Sequence, residues 1–421
     1  MKAGFYECDI TPPLGGYIPG HYSEARGLDV RDRLYARAAV LEEDGQVAAF
    51  VCVDSCMLPP DMPKAVAARV AAYTDIPEEN VCVACNHTHA GAPIIDNPEI
   101  KCFSDDTYRD VCYRLAADAV TLAYRRREEV TLSFGRSELH GYSFNRNYVL
   151  EDGTAVTWNP GKPYREMFGP IDPEVGVVVC HREGKPVGAL VNFALHQCCT
   201  PNFRAYSGDY SSVLARELKK AYGDEFSTVF LLGACGDINH VDTDWQRTEQ
   251  NAYDEIGRAL SEKVRQAIAA ATPVGEGLTV KREEITLAKR QASAAYVKEK
   301  LADYAASGRN FEMRAHNLMY YRYTNREPSV TLHLSTVKLG NTAFYCMPGE
   351  IFTEFGLALK ARSEADNVMV VTSCNDYCGY VPTARAFAEN CDLYEASLCH
   401  HSCLVPEAGD KMVDKLLEMQ P

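Results

Sequence analysis

Val81-Cys82-Val83-Ala84-Cys85-Asn86-His87-Thr88-His89-Ala90-Gly91-Ala92-Pro93 is a short apolar run that ends in His-Thr-His and then breaks into small residues and a proline. On an extended backbone, residues i and i+2 point to one face. His87 and His89 are therefore expected to project together from the end of a buried strand. Two imidazoles on one face can hold a divalent metal, or divide between ligand and proton shuttle. Otherwise one packs and the other meets solvent. Which of these applies depends on the partners the rest of the chain supplies.

That run closes a unit that recurs along the sequence. Residues 34–41 and 47–53 read as strands across the turn Glu43-Asp44-Gly45, a helix follows near 62–73, and 81–85 is a third strand. The succession returns as strands 175–180 and 187–194 across Glu183-Gly184-Lys185, a helix carrying Leu214 and Leu218, and strand 228–232. It returns again as 332–339 and 343–347 across Gly340-Asn341, helix 352–361 and strand 368–372. Each second strand closes on a polar residue: Asp54, His196, Glu350. Each third strand closes on a polar loop: His87-Thr88-His89, Asp237-Ile238-Asn239, and 375–380. The expected fold is α/β (mixed α+β), with hairpin–helix–strand units recurring about three times around mixed sheets and the site at strand carboxyl ends. Residues 1–33 read as an irregular arm, 105–127 as a long helix and 128–170 as a connecting segment that carries Ser143-Phe144-Asn145-Arg146-Asn147 and a polar loop rich in Tyr, Trp and Pro. Residues 251–271 read as a structural helix, and 290–325 as one or two charged covering helices. No Gly/Pro/Ser-rich linker divides the chain, so a single domain over 1–421 is expected.

The 421 residues are 46% hydrophobic and 24% charged, a globular balance. No apolar run reaches the ~20 residues that span a bilayer. Met1-Lys2-Ala3-Gly4-Phe5-Tyr6-Glu7 lacks the apolar core of a signal peptide, so a cytoplasmic location is expected. The formal charge of −15 argues against nucleic acid as a partner. Seventeen cysteines without a recurring CxxC read mostly as reduced, packed thiols. Cys399-His400-His401-Cys403 holds metal-binding residue types, yet four side chains so close in sequence do not easily converge on one ion.

His87, His196 and Glu350 make a ligand inventory from separate units. Two histidines and a carboxylate with an open fourth position is the catalytic-zinc pattern. Nitrogen and oxygen donors suit zinc and also admit manganese, iron or nickel. H-E-x-x-H, G-x-S-x-G and the glycine motifs of nucleotide sites are absent. A zinc-bound water ionises near pH ~7 rather than ~15.7, which supplies a nucleophile without a Ser-His-Asp triad.

These residues occur in order with Asp9-Ile10-Thr11-Pro12, Tyr35-Ala36-Arg37-Ala38, Asn86-His87-Thr88-His89-Ala90-Gly91 and Ser143-Phe144-Asn145-Arg146. Ser207-Gly208-Asp209-Tyr210, Gly236-Asp237-Ile238, Pro348-Gly349-Glu350, Tyr380-Val381-Pro382-Thr383 and Tyr394-Glu395-Ala396 complete the series. Over nearly its whole length the chain resembles the catalytic domain of neutral/alkaline (non-lysosomal) ceramidases, a family of zinc-dependent amidases. The resemblance implies one Zn2+ per chain, held by His87, His196, Glu350 and Tyr380. It implies that His89, Tyr380, Arg146 and Asn239 serve catalysis and that Gly16 and Tyr394 meet the substrate. It also places Asp237 or Asp209 behind a histidine, fixing its tautomer. In the implied reaction, metal-activated water attacks an amide carbonyl, zinc and Tyr380 stabilise the oxyanion, and His89 passes a proton to the leaving amine. The chain departs where the family's G-D-I-S-P-N reads Gly236-Asp237-Ile238-Asn239-His240, so Asn239 replaces a serine that contacts the reacting amide. It also ends at Pro421 without the C-terminal β-rich domain of full-length ceramidases, and it begins without an export signal. A small, polar amide therefore stands beside a lipid-like one as the expected substrate. Metal-dependent ester or other acyl hydrolysis, and metal binding without catalysis, are the alternatives.

Overall fold

The computed structural model describes residues 1–21, 23–100, 102–158, 161–201, 204–241, 252–308 and 310–420. Three sheets share one strand order. The first contains β1 (Lys2–Asp9), β2 (Tyr35–Glu43), β3 (Gln46–Val53) and β4 (Val81–Cys85), ordered β4-β3-β2-β1. Asp44 and Gly45, both at positive φ, turn the β2–β3 hairpin, which suits the right-handed twist of the strands. Helix α1 (Met62–Tyr73) then crosses over to set β4 parallel to β3. Helix α2 (Asp106–Arg125) follows, its first turn capped by the Asp105 carboxylate accepting from Tyr108 N.

The second sheet repeats this order with β5 (Thr131–Glu138), β6 (Glu174–Arg182) and β7 (Lys185–Phe193), then α3 (Tyr210–Tyr222), β8 (Ser227–Leu232) and α4 (Ala252–Ala269). The third begins with β9 (Leu278–Ala288), followed by α5 (Ala294–Ser307) and α6 (Phe311–Thr324). It continues through β10 (Ser329–Leu339), β11 (Thr342–Cys346), α7 (Thr353–Arg362), β12 (Asn367–Val371) and α8 (Ala408–Glu418). In every case the second strand of the hairpin is flanked in parallel by the strand after the crossover helix.

The three sheets meet over a common core. Phe50 and Cys82 enter it from the first sheet, Val178, Leu190 and Val229 from the second, and Phe344, Cys346 and Met369 from the third. Outside, each sheet is covered by helices. On β3 the period-2 alternation divides the two faces: Ala48, Phe50 and Cys52 point inward, while Val47, Ala49, Val51 and Val53 pack with Val66 of α1 and Val120 of α2. Strands buried on both faces read as continuous apolar runs, and these are the strands that the sequence pattern picks out.

The fourth strand of each sheet is a different matter. β1 and β5 lie within stretches read as arm and connecting segment, and β9 carries Lys281, Arg282, Glu283 and Glu284. Its alternate residues are solvated, and it is held by an unbroken antiparallel register from Leu278↔Leu339 to Ala288↔Ser329. Charged edge strands discourage edge-to-edge pairing, and that same charge masks their strand character. The connecting segment also holds regular structure: beyond β5, short strands at Asn147–Leu150, Ala155–Thr157 and Tyr164–Met167 form a small sheet with Cys391–Asp392.

The carboxyl ends of β4, β8 and β12 converge. Thr372 N donates to Leu232 O at 2.8 Å, and Asn375 N donates to Val83 O at 2.7 Å. Among the described residues, no helix is long and apolar enough to cross a membrane.

Candidate metal centre

The loop after β4 does not continue the strand. His87 takes a left-handed conformation, φ +63°, so the expected extended His-x-His geometry is absent. The kink nevertheless brings the rings together, with Nε2 of His89 3.3 Å from Nε2 of His87. From the end of β7, His196 presents its Nε2 3.0 Å from that of His87. Beyond β11, Glu350 places Oε2 3.2 Å from His87 Nε2 and 3.4 Å from His196 Nε2. His87, His196 and Glu350 are buried, and His89 is partly exposed.

The histidine tautomers follow from their partners. His87 Nδ1 lies 2.5 Å from Cys56 O, and His196 Nδ1 lies 3.0 Å from Cys235 O. A carbonyl only accepts, so both Nδ1 atoms are donors and both neutral rings turn an Nε2 lone pair toward Glu350. Glu350 Oε2 is buried and has no hydrogen-bond partner. Acceptors aimed at one point in a dry pocket repel one another unless a cation sits among them. Ligand bonds of about 2.0–2.2 Å put tetrahedral ligands about 3.3–3.6 Å apart; the separations here, 3.0, 3.2 and 3.4 Å, lie within or slightly below that range. Without a cation, a proton takes the same place: burial pushes His87 down, but the Glu350 carboxylate outweighs it and holds the ring well above the usual range, so the neutral, lone-pair form of His87 belongs to a centre with a cation bound. Burial and its histidine neighbours push His89 well below the usual range, and burial with His87 lowers His196 to about 4. Despite burial, the two histidines hold Glu350 well below the carboxylate range. The cluster asks for positive charge.

Asp237 and Asp209 do not fix a histidine. Asp237 accepts from Thr353 N and Oγ1 and from Asn145 Nδ2, tying α7 to the 145 loop. Asp209 accepts from Cys199 N, Thr200 N and Oγ1 and Tyr210 N at the start of α3. Backbone carbonyls orient the imidazoles instead, and a backbone atom leaves no residue-type signal. Asp54, the first unit's counterpart of His196 and Glu350, also stays out of the centre. It pairs with Arg37 and accepts from Tyr35 N and Asn86 Nδ2.

Tyr380 sits beside Glu350 through the parallel pair Glu350↔Tyr380, and its ring centroid is 5.4 Å from the Arg146 guanidinium. Arg146 Nε donates to Glu395 Oε1 at 2.6 Å and Nη2 donates to Gly236 O at 2.8 Å. Burial alone would lower Arg146; Tyr380 and Glu395 hold it well above its ordinary value. Asn239 Oδ1 accepts from His240 N at 2.7 Å and lies 3.6 Å from Cys198 Sγ. Tyr394 packs between Trp158 and His401, with centroids at 5.3 and 5.4 Å. The Gly16 carbonyl accepts from Tyr206 Oη at 3.0 Å. The glycine that abuts the histidines is Gly20, where a Cβ would stand 2.9 Å from the His89 ring and 3.0 Å from Cys56 Sγ. In the Cys399–Cys403 segment, His400 bonds Thr324 Oγ1 while His401 faces Tyr394, so these residues do not converge. Sequence reasoning missed Tyr377, whose hydroxyl donates to Glu350 Oε1.

A family model described as neutral/alkaline non-lysosomal ceramidase, N-terminal, matches residues 2–305. Among solved structures, a neutral ceramidase from Pseudomonas aeruginosa superposes with a TM-score of 0.76 at 18% identity, covering 99% of this chain and 73% of that one. A structure described as ceramidase complexed with C2 gives 0.73 at 18% identity, covering 99% and 74%. At that identity the likeness is one of fold. No curated protein matches.

Proposed function

This chain belongs to the neutral/alkaline non-lysosomal ceramidase family, and on that premise we propose that residues 1–421 form one catalytic unit that hydrolyses an N-acyl amide with a bound divalent cation, zinc by its donor set. The observation that carries the reading is the partnerless Oε2 of Glu350 facing two histidine lone pairs. His87, His196 and Glu350 would hold the ion, with Tyr380 as the fourth candidate. Such an ion, when bound, acidifies water and polarises a carbonyl. The chain's own groups supply the rest. His89, neutral and beside His87, moves a proton to the leaving nitrogen. Arg146, locked by Glu395, offers a developing oxyanion a fixed positive charge next to the Tyr380 phenol. Asn239 has its oxygen engaged by His240 N, which leaves Nδ2 to donate to the substrate amide.

Polar or aromatic side chains surround the histidines. Cys56 Sγ is 3.9 Å from His87, and His21 meets His89 edge-on with ring centroids 6.2 Å apart. Together with Asn239 in the serine position, they favour a small polar amide over a long-chain lipid. Metal analysis with a panel of N-acyl amides, matched esters and graded acyl lengths tests this. One zinc per chain, cleavage of amides, and a kcat/KM that does not rise with acyl length are the expected results. His87→Ala should lose the metal and bring activity to background. Retention of both by that variant would falsify the ligand assignment, and turnover of esters alone would replace amide with ester chemistry.

A further inference from the structure

We propose that Tyr377 is a positioning residue for the metal site: its hydroxyl occupies one oxygen of Glu350, so that the carboxylate presents only the other to the cation. The proposal rests on the reading of His87, His196 and Glu350 as a metal site.

The two oxygens of Glu350 live in different surroundings. Oε1 accepts from Tyr377 Oη. Oε2 has no hydrogen-bond partner and faces the Nε2 atoms of His87 and His196 at 3.2 and 3.4 Å. A free carboxylate can chelate a cation through both oxygens and so fill two coordination positions. Held at Oε1 by a phenol, it binds through one. A low ligand count keeps a position open for water or a substrate carbonyl, which separates catalytic from structural sites. The hydrogen bond also stops the carboxylate from rotating, the role that outer partners play for metal ligands generally.

The loop that carries Tyr377 is held at both ends. Ser373, Asn375 and Gly379 adopt φ of +49°, +67° and +77°, and two of the three are not glycine. Such conformations persist only where surrounding contacts enforce them. Those contacts are present: Asn375 N donates to Val83 O, Glu350 N to Gly379 O, and Tyr380 N to His401 O. The segment that delivers the phenol is therefore hydrogen-bonded to the backbone of the residue the phenol serves. Two tyrosines leave this loop with separate partners, Tyr377 on the Glu350 carboxylate and Tyr380 against Arg146.

The test titrates Zn2+ and Co2+ into metal-free parent and Tyr377→Phe proteins against a chromophoric chelator. Tyr377→Phe is expected to bind either ion about 10–100-fold more weakly. The visible bands of its Co2+ form should weaken as the freed Oε1 raises the coordination number. Because phenylalanine leaves Oε1 buried without a donor, a purely structural loss is separated by a double-mutant cycle with Glu350→Gln. If Tyr377 acts through Glu350, adding Tyr377→Phe to Glu350→Gln changes the affinity no further. Equal affinity in parent and variant, an unchanged Co2+ spectrum, or the same loss in both backgrounds overturns the proposal. A parent that binds no metal removes the site and the proposal together, whereas a metal-binding parent with an unaffected Tyr377→Phe removes only the role of Tyr377.

Discussion

His87 and His196 owe their orientation to two backbone carbonyls, Cys56 O and Cys235 O, and no pattern of residue types announces either. One of the two carboxylates expected to do that work, Asp237, does something else. It is 1% exposed, and burial raises it from 3.8 to about 6 against the hydrogen bonds from Thr353 and Asn145. Below pH 4 the group is protonated in folded and unfolded chains alike. As the pH rises toward 6 the unfolded chain ionises first, so this group's contribution to stability is lost over that window. Each tenfold difference in proton affinity between the two states is worth about 1.36 kcal/mol, which makes the loss about 3 kcal/mol. Asp237→Asn keeps an oxygen for Thr353 but cannot ionise. Urea unfolding of both proteins at pH 4 and pH 7 should show the stability gap moving in the variant's favour by about that amount. Parallel pH profiles would mean the carboxyl is better solvated than its burial implies.

At the scale of elements, the three crossover strands and their hairpins were legible because burial on both faces makes them uniformly apolar. Helix α1 at Met62–Tyr73 and β4 at Val81–Cys85 have the bounds read from the pattern. The outer strands β1, β5 and β9 were not legible, because pairing with a hairpin rather than local composition makes them strands. The site lies where loops from different sheets touch. Gly236, after β8, packs directly on the backbone of Glu350, after β11: its N donates to Ile351 O at 2.8 Å, and a Cβ would collide with the Glu350 carbonyl oxygen. Gly236→Ala should therefore cost about 1–3 kcal/mol in stability through overpacking. It should also weaken metal binding, although residue 236 is not a ligand. Chelator competition on the refolded variant checks this, and unchanged affinity with lowered stability would show that the two loops move independently.

For the whole molecule, the candidate ligands His87, His196 and Glu350 come from three different sheets around one shared core. A cation bound by the folded chain alone stabilises it by about 2.7 kcal/mol at a hundred times its Kd. Chelation should thus lower the unfolding midpoint of the entire chain, and added zinc should restore it. A midpoint indifferent to chelator would mean that the centre binds no ion tightly. The sequence alone determined which segments are buried strands, where polar residues close them, and which two histidines and which glutamate are available, since burial and polarity are local properties of side chains. Only the tertiary structure decided the rest. It kept Asp54 out of the centre by giving it Arg37, bent His87 to a positive φ, and handed the imidazoles to carbonyls. It also set Tyr377 on the carboxylate that a cation would share. Each of those outcomes depends on atoms far apart in sequence competing for the same hydrogen bond in a dry interior. That competition has no trace in the order of residues along the chain.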